Sequence, residues 1–156
     1  MESAHQEIIK EIVSNILHKM DFQAEIEVIM EEGSSQTFLC MARVKGDQNF
    51  LIGQDGANLA AIQHIVRMIL YKKTEERLSV IVDVNGYLLD KKTLLEQEAG
   101  KVAQEAIRDQ ISVMMRPMLS YERKIIHTFL ADNQDVATES IGQGNERKII
   151  IRPKII

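Results

Sequence analysis

An arginine and a histidine four residues apart are the pair in this sequence best suited to binding a polyanion. Arg123 and His127 lie in the stretch YERKIIHTFL, whose apolar residues recur with helical spacing. Residues four apart share one face of a helix, so the guanidinium and the imidazole would lie side by side. Both groups can donate hydrogen bonds to phosphate oxygens or stack on a nucleobase. The spacing therefore makes this pair a candidate site for a phosphate or a nucleobase.

Further basic residues lie close to this pair in sequence, and we expect them to contact phosphate groups. Residues 100–156 hold 9 lysines and arginines against 7 acids, whereas residues 1–99 hold 10 against 16. A partner with a phosphate backbone should therefore prefer the C-terminal part, although the whole chain has a net charge of −4. The predicted supporting contacts come from Lys124, Arg147, Lys148 and Arg152. The alternative is structural: Arg123 would pair with an acid, and His127 would pack against a sheet.

Two glycines three residues apart predict a second, weaker site. Gly53 and Gly56 stand between two apolar segments in LIGQDGANL, with Gln54 and Asp55 between them. Small residues let a phosphodiester backbone approach closely, and N–H groups at the start of the next helix could donate to phosphate oxygens. Asp55 would stabilise the N-terminus of that helix through the helix dipole but would repel a phosphate. The alternative is a tight turn between two helices that binds nothing.

Other kinds of chemistry find little support in the sequence. The stretch around His127 offers no serine or cysteine nucleophile, and the four histidines lack metal-ligand spacing, so we expect no enzyme, metal or cofactor. Cys40 is the single cysteine, which excludes a disulfide within the chain and fits a reducing cytoplasm. We find neither a secretory signal nor an apolar run approaching the ~18 residues that span a membrane.

Hydrophobic periodicity predicts an α+β protein in two parts. The predicted helices cover residues 3–20, 57–71, 87–110 and 120–132, with a short apolar turn before the glycines. The predicted strands cover residues 23–30, 37–44, 78–84 and 111–117, and two more lie in 136–156 around a Gly142–Asn145 turn. The order is αββααβ, a long connecting helix, then βαββ. We therefore predict domains at residues 1–86 and 111–156, joined by a connecting helix at 87–110.

The helix over 120–132 is predicted in more detail because it carries the principal site. Ser120 has the residue type that caps a helix N-terminus. The positions predicted to enter the core are Ile126, Phe129 and Leu130.

The motifs together resemble one bacterial family. The αββααβ order around Gly-x-x-Gly resembles a type II KH domain, whose loop clamps a few nucleotides of single-stranded nucleic acid. The segment PMLSYERKIIHTFLADNQDVATESIGQGNERKIII is similar to the Arg-x-x-x-His nucleic-acid-binding domain of the SpoIIIJ-associated protein family, also called Jag, KhpB or EloR. The matching residues are Pro117, Met118, Tyr121, Glu122, Arg123, Lys124, Ile125, Ile126, His127, Val136, Thr138, Ser140 and Gly142. The first half is similar through LIGQDGANLAAIQHIV and VDVNGY, so the resemblance covers roughly residues 5–152.

The resemblance implies a cytoplasmic RNA-binding protein linked to cell elongation, division or sporulation. It also implies pairing with a second, smaller KH protein, and the alternative to that heterodimer is a homodimer. The sequence departs from the family where Gln54 and Asp55 replace the usual basic residues, and where Lys91 and Lys92 are the only charges left of a usual arginine cluster. The family's separate N-terminal domain has no counterpart here, so functions that need it are not expected. The alternative function is a protein-interaction or dimerisation module whose KH half has lost RNA binding.

Overall fold

Helices and strands follow one another in the predicted order over residues 2–34 and 36–154, which the computed structural model describes. Met1, Ser35 and the last two residues, which belong to the predicted domains, lie outside the described residues. The elements of the first half are α1 (Glu2–Lys19), β1 (Ala24–Met30), β2 (Thr37–Val44), α2 (Asn49–Ile52), α3 (Ala57–Thr74) and β3 (Ser79–Val84). Those of the second half are α4 (Tyr87–Asp109), β4 (Val113–Pro117), α5 (Ser120–Leu130), β5 (Val136–Ile141) and β6 (Lys148–Pro153). The predicted α+β class and element order are confirmed.

The first unit extends to Leu88 and is built on a three-stranded sheet in the order β1-β2-β3. β1 and β2 are antiparallel, and β3 returns parallel to β2 after α2 and α3. Alternate residues of β2 and β3 are buried, as expected when one face of a sheet carries helices and the other meets water. α1 and α3 supply the apolar side chains that cover this face, including Ile9, Leu59 and Val66.

The second unit begins at Leu89 and has its own core around an antiparallel sheet in the order β4-β6-β5. β5 and β6 pair in regular register around a short turn, as predicted for a hairpin. Met115, Ile149 and Ile151 of the sheet pack with residues of α4 and α5. Within the described residues, no helix combines the length and apolar character needed to cross a membrane.

The long helix α4 is part of the second core rather than only a connection. Its buried positions recur at helical spacing and are Leu95, Ala99, Ala103 and Ala106. Only its first two residues, Tyr87 and Leu88, belong to the first unit. Small side chains predominate at these positions, which lets neighbouring elements approach α4 closely.

Replacing Gly100 of α4 with alanine is expected to raise the free energy of unfolding by about 0.5–1 kcal/mol. Gly100 lies within the helix, and an added Cβ would meet the Phe129 ring at an ordinary contact distance of 3.9 Å. Alanine therefore restricts the unfolded chain without a clash in the folded one. Urea unfolding followed by far-UV circular dichroism measures the change, because the chain has no tryptophan. A loss of stability would contradict the prediction.

Candidate nucleic-acid interface

Helix α5 carries the predicted Arg-x-x-x-His pair and is anchored by a buried acid. The helix begins at Ser120, and the residue at its N-cap is Leu119. The Leu119 N–H donates to Glu122 Oε2 at 2.7 Å. The prediction that Ser120 caps the helix is therefore wrong. Ile126 and Leu130 enter the core as predicted. Phe129 does not, because it lies at the edge of the apolar face and remains 45% exposed.

The buried acid is Glu122, whose side chain is only 1% exposed. Lys91 Nζ of α4 lies 3.1 Å and Arg116 Nη2 of β4 lies 3.6 Å from its Oε1 atom. Arg116 also approaches Glu98 of α4, at 3.9 Å. A charge inside a protein needs such partners, since water no longer solvates it. Sequence periodicity did not identify this cluster, which holds the start of α5 against α4 and β4.

His127 is held by two hydroxyl groups of the neighbouring strand. Nδ1 lies 2.7 Å from Thr138 Oγ1, and Nε2 lies 2.8 Å from Ser140 Oγ. Thr138 and Ser140 are two residues apart on β5, so they project from the same face of the sheet. Neither was a predicted site residue, although the alternation Thr-x-Ser beside the Arg-x-x-x-His motif was visible in the sequence. The two bonds fix the plane of the imidazole ring.

Arg123 lies one helical turn before His127 and is also half-buried. Its Nη1 atom donates to the Met118 carbonyl at 2.8 Å. Partial burial lowers the pKa of His127 below its usual value of 6.5, and the positive charge of Arg123 lowers it further. The imidazole is therefore mostly neutral at pH 7, with one nitrogen donating and the other accepting.

Of the predicted supporting residues, Arg147 is the one that the chain brings to Arg123 through a shared neighbour. Met118 accepts from Arg123 and donates its own N–H to the Arg147 carbonyl at 3.1 Å. Arg147 is exposed and precedes β6 by one residue. Lys124 is exposed on α5, directly after Arg123. These two residues can therefore add positive charge around the Arg123–His127 pair.

The side chains of Lys148 and Arg152 project from the face of the sheet opposite to Thr138 and Ser140. In the β5–β6 pairing, Thr138 lies opposite Ile151, so the alternating neighbour Arg152 projects away from His127. Arg152 pairs with Glu139, which also lies on that far face, at 3.1 Å. The expectation that Lys148 and Arg152 join Arg123 in one cationic patch is corrected by this register.

The glycine loop of the first unit uses much of its hydrogen-bonding capacity internally. The Gly53 N–H donates to the Asn49 carbonyl at 2.8 Å, and the Gly56 N–H donates to the Gly53 carbonyl at 3.3 Å. The Ala57 N–H donates to the Gln54 carbonyl. The expectation that N–H groups at the start of α3 face a phosphate is therefore corrected for these residues. Gln54 and Asp55 form the exposed tip of the loop.

Backbone geometry accounts for both glycines without a ligand. Gly53 has φ +72° and Gly56 has φ +81°, in the left-handed region that glycine tolerates best. A Cβ on Gly53 would come within 2.6 Å of the Asn58 side chain, and one on Gly56 within 3.0 Å of the Tyr87 ring. Asp55 also has a positive φ, +52°.

Comparison with known proteins assigns the second unit to a class. Residues 93–153 match the Arg-x-x-x-His domain family, which takes its name from an arginine and a histidine with three residues between them. The match includes all of the Arg123–His127 site and most of α4. The fold and the site thus define a protein with an Arg-x-x-x-His domain.

Comparison over most of the chain finds relatives that share one name. The chain is 30% identical over 145 residues to the RNA-binding protein KhpB of Clostridium symbiosum, an alignment that includes 92% of this chain. It is 35% identical over 106 residues to the RNA-binding protein KhpB of Bacillus subtilis (strain 168). The chain is similar to KhpB proteins over most of its length, as the resemblance predicted. It spans 64% of the first relative's length and about half, 51%, of the second's.

Proposed function

We propose that this protein binds single-stranded RNA through the Arg123 surface, which we define as Arg123, His127, Thr138, Ser140 and Arg147. The observation that carries the proposal is the exposure and hydrogen bonding of the Arg123–His127 pair. Both side chains are only half-buried, and among the described residues Arg123 bonds to a carbonyl rather than to a carboxylate. A guanidinium with donors left over beside a fixed imidazole suits a phosphate group, and the matched relatives are named RNA-binding proteins.

Contacts of this kind position a strand without reading its sequence. Guanidinium and hydroxyl donors bind phosphate oxygens, which every nucleotide carries, so affinity should depend more on salt than on base identity. In this proposal the protein acts as a binding protein rather than an enzyme, and it acts in the cytoplasm. The glycine loop remains a weaker second site, since its tip presents an acid and its inner N–H groups bond within the loop.

Replacing Arg123 with alanine is expected to weaken binding of a short single-stranded RNA by about tenfold or more. The log–log salt slope should become shallower by about 0.7 if one phosphate contact is lost. Fluorescence anisotropy with labelled oligouridylate at several salt concentrations measures both quantities. Unchanged affinity in a folded Arg123→Ala, His127→Ala double variant would remove the proposed site.

Arg152→Ala provides the matched control for this experiment. It removes the same charge from the same unit, but from the opposite sheet face, where Glu139 already neutralises the guanidinium. We expect its affinity to stay within about twofold of the wild type, because an exposed ion pair contributes little. Equal losses in both arginine variants would indicate a general charge effect instead of the Arg123 surface.

A second candidate function, protein association, is favoured by the outer surface of α3. Ile65, Met68 and Tyr71 are exposed there at helical spacing, with exposed fractions of 46%, 59% and 53%. This surface suits either a homodimer or pairing with a small KH protein, which the family resemblance implied. Sedimentation of the purified chain with and without oligouridylate separates the two functions. A dimer that fails to bind the RNA would favour association alone. A role in cell elongation, division or sporulation rests on the family resemblance only.

A further inference from the structure

Through its bonds to the hydroxyls of Thr138 and Ser140, the imidazole of His127 can control the orientation of two further hydrogen-bond donors. Both ring nitrogens are already occupied, at 2.7 and 2.8 Å, by groups that can either donate or accept. The ring therefore determines which way each hydroxyl proton points. In turn, the hydroxyl protons determine how many donors this part of the Arg123 surface offers to a ligand.

Counting protons shows the effect. When His127 is neutral, one ring nitrogen donates to one hydroxyl, and the other nitrogen accepts the proton of the second hydroxyl. Only the first hydroxyl then has its own proton free for a ligand. When His127 is protonated, both nitrogens donate, both hydroxyls accept, and both hydroxyl protons are free. Protonation thus raises the number of free hydroxyl donors from one to two and adds a positive charge.

We propose that Thr138 and Ser140 donate hydrogen bonds to a phosphate of the bound strand, and that His127 takes up a proton as this phosphate binds. The inference rests on the proposed RNA-binding function and adds the residues and the proton linkage. The ligand group is the phosphate of single-stranded RNA, because its oxygens accept hydrogen bonds but donate none. Protonated His127 and Arg123 would then neutralise the phosphate together.

The surroundings of His127 set the sign of this linkage. On α5, Arg123 faces the ring and opposes its protonation, while Lys124 is exposed to solvent. On β5, Glu139 points to the far face and pairs with Arg152. The residues of β6 opposite Ser140 and Thr138 are Ile149 and Ile151, which are apolar. The pKa of His127 is therefore low in the free protein, and a phosphate anion beside the ring would raise it.

Affinity for RNA should consequently increase as the pH falls. The gain is complete below the pKa of His127 in the free protein and disappears above its pKa in the complex. Each unit of difference between these two pKa values corresponds to about a tenfold change in affinity. Binding is therefore measured from well below pH 6.5 to slightly alkaline pH, because the pKa of free His127 lies below 6.5. Far-UV circular dichroism at each pH verifies that the full chain remains folded.

The decisive measurement is the pKa of His127 in the full-length chain, determined by NMR of the imidazole carbons with and without a short oligouridylate. A rise in this pKa on binding supports the inference. Binding with an unchanged pKa overturns the inference and leaves the proposed function intact. No binding at any pH overturns both.

Two hydroxyl variants test the donor count separately. Ser140→Ala and Thr138→Val each remove one donor, but one of them should weaken binding mainly at low pH. That variant is the one whose hydroxyl donates to the neutral ring, since this hydroxyl becomes available to RNA only after protonation. The other should weaken binding equally across the range, and His127→Gln should abolish the pH dependence. Identical pH profiles in the wild type and in both hydroxyl variants would overturn the donor count.

Controls exist for both kinds of change. Thr93→Val removes an exposed hydroxyl that bonds to the Leu89 carbonyl in α4, and it should leave affinity unchanged. His18→Gln removes an exposed histidine from α1 and should preserve the pH dependence. A pH dependence that is lost in His18→Gln would overturn the assignment to His127.

Discussion

Replacing Glu122 with alanine is expected to lower the free energy of unfolding by about 3–5 kcal/mol. The carboxylate is buried, accepts the Leu119 N–H at 2.7 Å and lies 3.1 Å from Lys91 Nζ. Alanine would remove the carboxylate that the Lys91 ammonium and the Arg116 guanidinium share. It would also remove the bond that begins α5, on which Arg123 and His127 are placed. Urea unfolding followed by circular dichroism measures the loss.

Glu98→Ala is the matched control for this prediction. Glu98 approaches the same Arg116, but at 3.9 Å and with its side chain 42% exposed. Its removal should change stability by less than about 1 kcal/mol, as is usual for exposed ion pairs. A similar cost for both variants would show that burial of Glu122 is not the cause.

A double-mutant cycle tests whether Glu122 is coupled to Lys91. Lys91→Met replaces the ammonium with an apolar side chain of similar length. If the pair is coupled, the double variant Glu122→Gln, Lys91→Met should lose less stability than the two single changes added together. Additive losses would contradict the coupling.

Replacing Gly53 with alanine is expected to lower the free energy of unfolding by about 2–4 kcal/mol. Gly53 combines φ +72° with ψ −179°, a region that is almost restricted to glycine. The new Cβ would also displace Asn58, whose amide donates to the Phe50 carbonyl at 2.8 Å. Backbone strain and the lost hydrogen bond therefore act together. Urea unfolding of the full chain measures the sum.

Two further variants divide this cost between its causes. Gly86→Ala introduces a Cβ at φ +76° with no atom within 4 Å, so its expected cost of about 1–2 kcal/mol represents strain alone. Adding Asn58→Gly to Gly53→Ala removes all three Asn58 atoms that the new Cβ would meet, so relative to Asn58→Gly alone the remaining cost of Gly53→Ala is the strain. If Gly53→Ala is as stable as the wild type, the described loop geometry is wrong.

Element order was predictable from the sequence because periodicity is a local property. The helices and strands of both units lie within a few residues of the predicted ranges, and the four-residue spacing placed Arg123 and His127 on one face of α5. The partners of His127 were not predictable in this way. They depend on which face of β5 meets α5, and that choice is made by packing over many residues.

Two errors at the site have separate physical causes. The sequence did not indicate on which face of the sheet Arg152 lies. Ile149, Ile150 and Ile151 are all buried, so β6 lacks the alternation that normally reveals which side chains share a face. The buried position of Glu122 was missed because acids normally lie at the surface. Its burial is compensated by groups that come from α4, β4 and the residue before α5, which are distant in sequence or belong to the backbone.

The turn between β5 and β6 sets the register of β5, and with it the side chains that face His127. Gly142 fits there with φ +85°, and a Cβ would approach the Glu146 carbonyl oxygen to 3.0 Å, which leaves little freedom to redistribute residues. Side chains alternate along a strand, so a one-residue slip of β5 would exchange Ser140 for a neighbour of opposite facing. In one direction the histidine would then meet the carboxylate of Glu139 instead of a hydroxyl. The length of this loop thus determines which side chain of β5 His127 meets.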